Sequence, residues 1–170
     1  WIQLFNGEDF TGWVSVEEPN RPVPWTVENG AMVAPDHESH IRTIEQWKDF
    51  EFEVDYRAGT DGNGGAYLRG RIEIQILGPG VATGSSRKNA NGAVFHQHAP
   101  RVAAGKPAGE WNHLSGILAG DRLTAYLNGR LIHENVQLGP SSYTLVPGAM
   151  TEPGPIALQG HSGSVRYRNV

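Results

Sequence analysis

Between Phe50 and Arg57 every second residue is apolar: Phe50, Phe52, Val54 and Tyr56 alternate with Glu51, Glu53, Asp55 and Arg57. A period of two places each set on its own side of a β-strand, so this segment reads as a strand with one buried and one charged face. The same period recurs in Arg71–Ile76, where three isoleucines oppose Arg71, Glu73 and Gln75, and β-branched side chains favour the pleated surface. Gly59 to Gly65 is rich in residues that tolerate turns, and Ala66–Arg69 follows it as a short strand with Tyr67 and Arg69 on its polar face. The 22 glycines and 11 prolines fall at short intervals, leaving little room for the roughly 10 to 12 uninterrupted residues that a helical pattern needs.

Alternation continues in Trp111–Leu118 and Arg122–Leu127, with Gly120-Asp121 and Asn128-Gly129 as hairpin turns leading on to Arg130–Ile132. It returns in Gly154–His161 and Val165–Val170. Many short strands with frequent turns imply two packed antiparallel sheets, an all-β sandwich, and nothing divides residues 1–170 into more than one domain. His37–Lys48 is the one stretch with apolar residues at helical spacing, Ile41, Ile44 and Trp47, and is expected to hold a turn or two of helix. Gly78 to Gly109 reads as a long loop region with a short strand near Ala93–Phe95.

The net charge of −4 offers no footprint for a phosphate backbone or an anionic membrane. No apolar run approaches a membrane span. Only three of the 14 basic residues are lysine, which suggests that arginine forks serve fixed hydrogen bonds. Without cysteine there is neither a disulfide framework nor a thiol nucleophile. The chain opens on Trp1-Ile2-Gln3 instead of methionine, which reads as a trimmed N-terminus, by loss of a signal segment or by truncation.

The polar faces of the strands collect Glu51, Glu53, Asp55, Tyr67, Arg69, Arg71, Glu73, Gln75, Gln159 and His161. If these converge, they form a surface of carboxylates, amides, arginines and a tyrosine suited to sugar hydroxyls; the plainer reading is a solvated outer face. Amides at Gln75 and Gln159 favour the first. His96 and His98, two apart, would share a face in a strand, a spacing compatible with a metal pair. His37, His40, His113 and His133 read as surface or turn residues. Glu53 with Glu73 could supply the two carboxyl groups of a glycosidase.

The segment Leu4-Phe5-Asn6-Gly7-Glu8-Asp9-Phe10-Thr11-Gly12-Trp13 resembles the opening of the 3-keto-disaccharide hydrolase domain family. The likeness continues through Trp25–Gly30, Asp49–Val54, Asn63–Arg69, Ile72–Leu77, Gly109–Asn112, Leu127–Gly129 and Gly154–His161, and so spans the chain. The resemblance implies a concanavalin A-like jelly-roll β-sandwich in a bacterial, periplasmic or secreted enzyme whose partner is a small carbohydrate with carbon 3 oxidised. It implies His161, Glu73 and Glu53 as catalytic residues, and Tyr67, Arg69, Gln75, His96, His98 and Gln159 as substrate-binding residues. A ketone at carbon 3 acidifies the carbon 2 proton, so His161, His98 or Glu73 would remove it, Glu53 would protonate the leaving group, and Arg69 or a divalent cation would stabilise the enolate. The rival from another class is a non-catalytic carbohydrate-binding module. It would favour exposed aromatic platforms, whereas Trp1, Trp13, Trp25, Trp47 and Trp111 mostly flank apolar strand starts and read as core.

Overall fold

The structure, a computed structural model, describes residues 1–141 and 143–170. Its strands are β1 (Trp13–Ser15), β2 (Thr26–Glu28), β3 (Ala31–Val33), β4 (Ser39–Thr43), β5 (Phe50–Ala58), β6 (Asn63–Leu68), β7 (Ile72–Leu77), β8 (Asn112–Ala119), β9 (Arg122–Leu127), β10 (Arg130–Gln137), β11 (Ala157–Ser162) and β12 (Val165–Arg168). A single 3-10 turn at Arg87–Asn89 is the one helical element among the described residues. No helix in them is long and apolar enough to cross a membrane.

The strands form two antiparallel sheets, one ordered β1-β4-β11-β6-β7 and the other β10-β9-β8-β5-β12-β3-β2. Their inner faces make the core. Ile41, Leu68, Ile72, Ile74, Ile76 and Leu158 from the first sheet meet Phe52, Val54, Tyr56, Leu114, Leu118, Leu123 and Tyr167 from the second. Tyr167 stacks on Trp25 with ring centroids 5.7 Å apart, and its buried hydroxyl donates to Gln159 O at 2.7 Å. The hydroxyl thereby ties the seven-stranded sheet to the five-stranded one. Trp13 and Trp25 are buried as expected, Trp47 and Trp111 half-buried, and Trp1 exposed.

Three sequence readings are corrected here. His37–Lys48 holds no helix; it contains β4, whose inward residues are Ser39, Ile41 and Thr43. Ser39 accepts from Trp25 Nε1 and Thr43 donates to Glu45 O, so a polar pair is buried with its hydrogen bonds satisfied and the period of two is hidden from an apolar count. His40 and His133 are buried and not surface residues. His133 Nε2 donates to Gly92 O at 2.7 Å, which holds the long loop against β10.

That loop does not wander free. Its 92–98 part returns along β7, where Gly92 N donates to Gln75 O, Gln75 N to Ala93 O, and Phe95 N to Glu73 O. An antiparallel bridge joins Ile74 to Val94. The exposed edge of the five-stranded sheet is thereby paired, and Phe95 is placed beside Glu73.

Candidate functional site

Because β6, β7 and β11 run antiparallel in register, their outward residues form rows across the sheet. Ala157, Tyr67 and Glu73 make one row; His40, Gln159, Gly65 and Gln75 make the next. In the third, Asn63 lies opposite Leu77, while β11 gains a residue between Gly160 and Ser162. His161 is that extra residue, so a β-bulge turns its side chain towards Asn63, with Nδ1 3.5 Å from Asn63 Nδ2. Above these rows the 78–98 excursion and Tyr143 close a cavity of about 310 Å³, lined from the sheet by Tyr67, Glu73, Gln75, Gln159 and His161 and from above by Val81, Thr83, Asn89 and Phe95.

Glu73 is 5 % exposed. Burial lifts its carboxyl to about 7, against a smaller downward pull from the Tyr67 hydroxyl. Burial, and then the neighbouring Glu73 charge, hold the Tyr67 hydroxyl protonated far above its ordinary range. Space for the carboxylate comes from Gly65: a Cβ there would stand 2.6 Å from Glu73 Oε1. A side chain at position 65 would therefore displace the carboxyl.

The amides are oriented by neighbours. Gln75 Nε2 donates to Asn63 Oδ1 at 2.9 Å and to Gly64 O at 3.3 Å, which leaves its oxygen as the acceptor towards the cavity. Gln159 is set through a relay that sequence reading missed. His40 Nδ1 donates to Glu17 Oε1 at 2.5 Å, and on the other side of the ring Gln159 Nε2 lies 3.1 Å from His40 Nε2. Burial raises the Glu17 carboxyl, but hydrogen bonds from the His40 ring and from the backbone N–H groups of Glu17 and His40 outweigh it and hold Glu17 below its ordinary value. Asn89 Oδ1, on the cavity's upper wall, is buried without a protein partner. Its acceptor, with those of Gln75 and Gln159, suits a ligand rich in hydroxyl groups.

The residues expected to share one face divide. Tyr67, Glu73, Gln75, Gln159 and His161 come together; Glu53, Arg69, His96 and His98 do not line the cavity. Glu53 is on β5 in the other sheet, on its solvent face opposite Ser115, so its alternation pointed to a different surface. It borders a second, mostly apolar cavity of about 530 Å³ that carries neither of the oriented glutamines.

Arg69 lies just past the end of β6 with φ 55°, where the chain turns into β7, and its side chain is 0 % exposed. Its guanidinium donates to Lys48 O at 2.5 Å, to Gly120 O and Met150 O at 2.8 Å each, and to Asp49 Oδ1 at 3.1 Å. Arg71 likewise donates to the carbonyls of Pro147, Glu152 and Pro153. The arginine forks serve loop anchoring, a use their planar geometry fits. His96 and His98 form no pair: His96 turns outward at φ 59° against the rings of Phe95 and Tyr143, and His98 Nε2 donates to Gln137 O at 2.7 Å. Among the described residues no group of three or more His, Asp and Glu side chains stands together as a metal site would need.

Solved structures share this architecture. A protein from Parabacteroides distasonis, provisionally assigned as a glycosyl hydrolase, superposes with a TM-score of 0.81 at 24 % identity, over 98 % of this chain and 89 % of its own. A Bacillus licheniformis beta-glucanase matches with a TM-score of 0.57 at 14 % identity, over 98 % and 94 %. The carbohydrate binding module CBM66 from Bacillus subtilis matches with a TM-score of 0.55 at 18 % identity, over 94 % and 93 %. At these identities the likeness is one of fold, the concanavalin-like jelly roll, which houses catalysts and binders alike. No curated protein matches the sequence. The model of one family, described as the 3-keto-alpha-glucoside-1,2-lyase-like domain, matches residues 1–170, and the chain belongs to that family.

Proposed function

We propose that the protein cleaves the glycosidic bond of 3-keto-glycosides by elimination, with Glu73 as the base. The observation that carries this reading is a buried carboxyl lifted to about 7 in a cavity lined by oriented amides, because a base poised near neutral pH combines availability with driving force. Glu73 takes the proton from carbon 2 and the electron pair passes to the carbon 3 oxygen. The Tyr67 hydroxyl, paired across the strands with Glu73, donates a hydrogen bond to that oxygen as charge develops. The carbonyl then re-forms, a double bond joins carbons 1 and 2, and the bond from carbon 1 to the glycosidic oxygen breaks. The departing oxygen takes a proton from water at the cavity mouth, and Glu73 returns its own proton to solvent.

Gln75, Gln159 and Asn89 accept from the sugar hydroxyls in this scheme, and His161, two rows from Glu73, contacts the far side of the ring. The test is turnover of a 3-keto-glucoside by the wild type and by Glu73→Gln. A loss of about 10³-fold in kcat with binding retained is expected; near-normal kcat in the variant contradicts the assignment. Binding by the wild type without any turnover would leave a carbohydrate-binding module instead.

A further inference from the structure

The cavity is asymmetric about Glu73. Towards Gln75 it offers Asn63, Gln159, His161 and Asn89, all able to bond hydroxyl groups, beside the aliphatic Leu77 and Val81 but with no aromatic ring. Beside Glu73 it offers rings. Phe95, fixed there by its N–H bond to Glu73 O at 3.0 Å, meets Tyr143 edge-on with centroids 5.2 Å apart at 72°. His96 completes the cluster, 4.1 Å from Phe95 and 5.1 Å from Tyr143. Tyr143 is 50 % exposed although it lines the cavity, so its ring has apolar surface left for a ligand to cover.

A second observation points the same way. Glu53, the carboxyl that would have protonated a leaving group, lies on the other sheet; of the two carboxyls that line the cavity, Glu73 is the base itself, and the exposed Glu38 precedes β4, whose Ser39 pairs with Gly160 at the His161 end, away from the rings. A leaving group that departs without an acid must be stable as an anion, and a phenolic oxygen, with a pKa of about 10, is such a group. We infer that the Phe95–Tyr143 pair, backed by His96 from outside the cavity, is an aglycone site and that the preferred substrates are 3-keto aryl glycosides in place of 3-keto-disaccharides. This rests on the cavity being the keto-sugar site.

Leaving-group acidity alone would speed cleavage of aryl glycosides, so recognition is tested by binding to the uncleaving Glu73→Gln variant. Calorimetric titration compares phenyl 3-keto-α-glucoside with the 3-keto form of a glucosyl glucoside, on Glu73→Gln alone and combined with Tyr143→Ala. The phenyl compound is expected to bind about ten-fold more tightly, and the preference to shrink to within about three-fold when Tyr143 is truncated. Equal affinities, or a phenyl preference that survives Tyr143→Ala, overturn the aglycone assignment while leaving the keto-sugar site in place. Binding of neither compound, with the variant's fold verified by circular dichroism, removes the keto-sugar site and the inference with it.

Discussion

The outward faces of β5 and β7 are written in the same alphabet, yet they live in different environments. On β5, Glu51 and Glu53 stand in solvent, and Asp55 pairs with His113 at 2.9 Å and with Arg168 at 3.4 Å. On β7, Glu73 and Gln75 are each 5 % exposed. Both strands alternate apolar with polar, and both face away from the core. What separates them is cover: the 78–98 excursion and Tyr143 roof β7, while Glu51 and Glu53 on β5 stay exposed at the rim of the other cavity. A carboxyl keeps its ordinary chemistry in water and becomes a neutral-pH base when it is desolvated without a cationic partner.

Exchanging each carboxyl for its amide sets the widest contrast. Glu73→Gln is expected to lower kcat on a 3-keto-glucoside by about 10³-fold, whereas Glu53→Gln, on the open sheet, leaves kcat and KM within about two-fold. Comparable losses in both would erase the distinction between the faces. Gly65→Ala comes next. Its methyl group meets the Glu73 carboxylate, so displacement of the base lowers kcat by about 10²-fold while Glu73 remains in the chain. An unaltered kcat would mean that the carboxyl's position does not matter.

A smaller effect is expected from Glu17→Gln, which acts through His40 on Gln159. If this relay orients the amide, KM rises about five-fold and kcat stays near wild type, the loss of about one hydrogen bond to substrate. A purely structural role would lower the melting temperature and leave the KM of the folded fraction unchanged.

Much of the sandwich was legible in the sequence because strand alternation is local. Phe50–Arg57 was read to within one residue of β5, and Arg122–Leu127 coincides with β9. β4 escaped because Ser39 and Thr43 point inward with their hydroxyls bonded, so an apolar count found only Ile41 and took the spacing to Ile44 and Trp47 for a helix. Arg69 was misplaced because extrapolating β6 one residue too far ignores the left-handed turn that aims its fork at the carbonyls of Lys48, Gly120 and Met150. Glu53 and Glu73 could not be told apart, since cover over a sheet comes from segments distant in sequence, and the long loop carries no periodicity to show where it lies. The relay through His40 left no local signal, because Glu17, His40 and Gln159 come from three segments far apart in sequence and meet only in the folded sheet.

The central claim is that burial makes Glu73 a base at neutral pH. Its folded pKa lies above the ordinary 4.5, so folding favours the protonated form. The associated stability is present below about 4.5 and is lost as pH rises through about 7, by about 3 kcal/mol in all. Carbon-13 NMR of the side-chain carboxyls in glutamate-labelled protein, with Glu73→Gln identifying the signal, reads that ionisation directly. A midpoint near 7 is the predicted result, and a carboxyl already ionised at pH 5.5 would contradict the account.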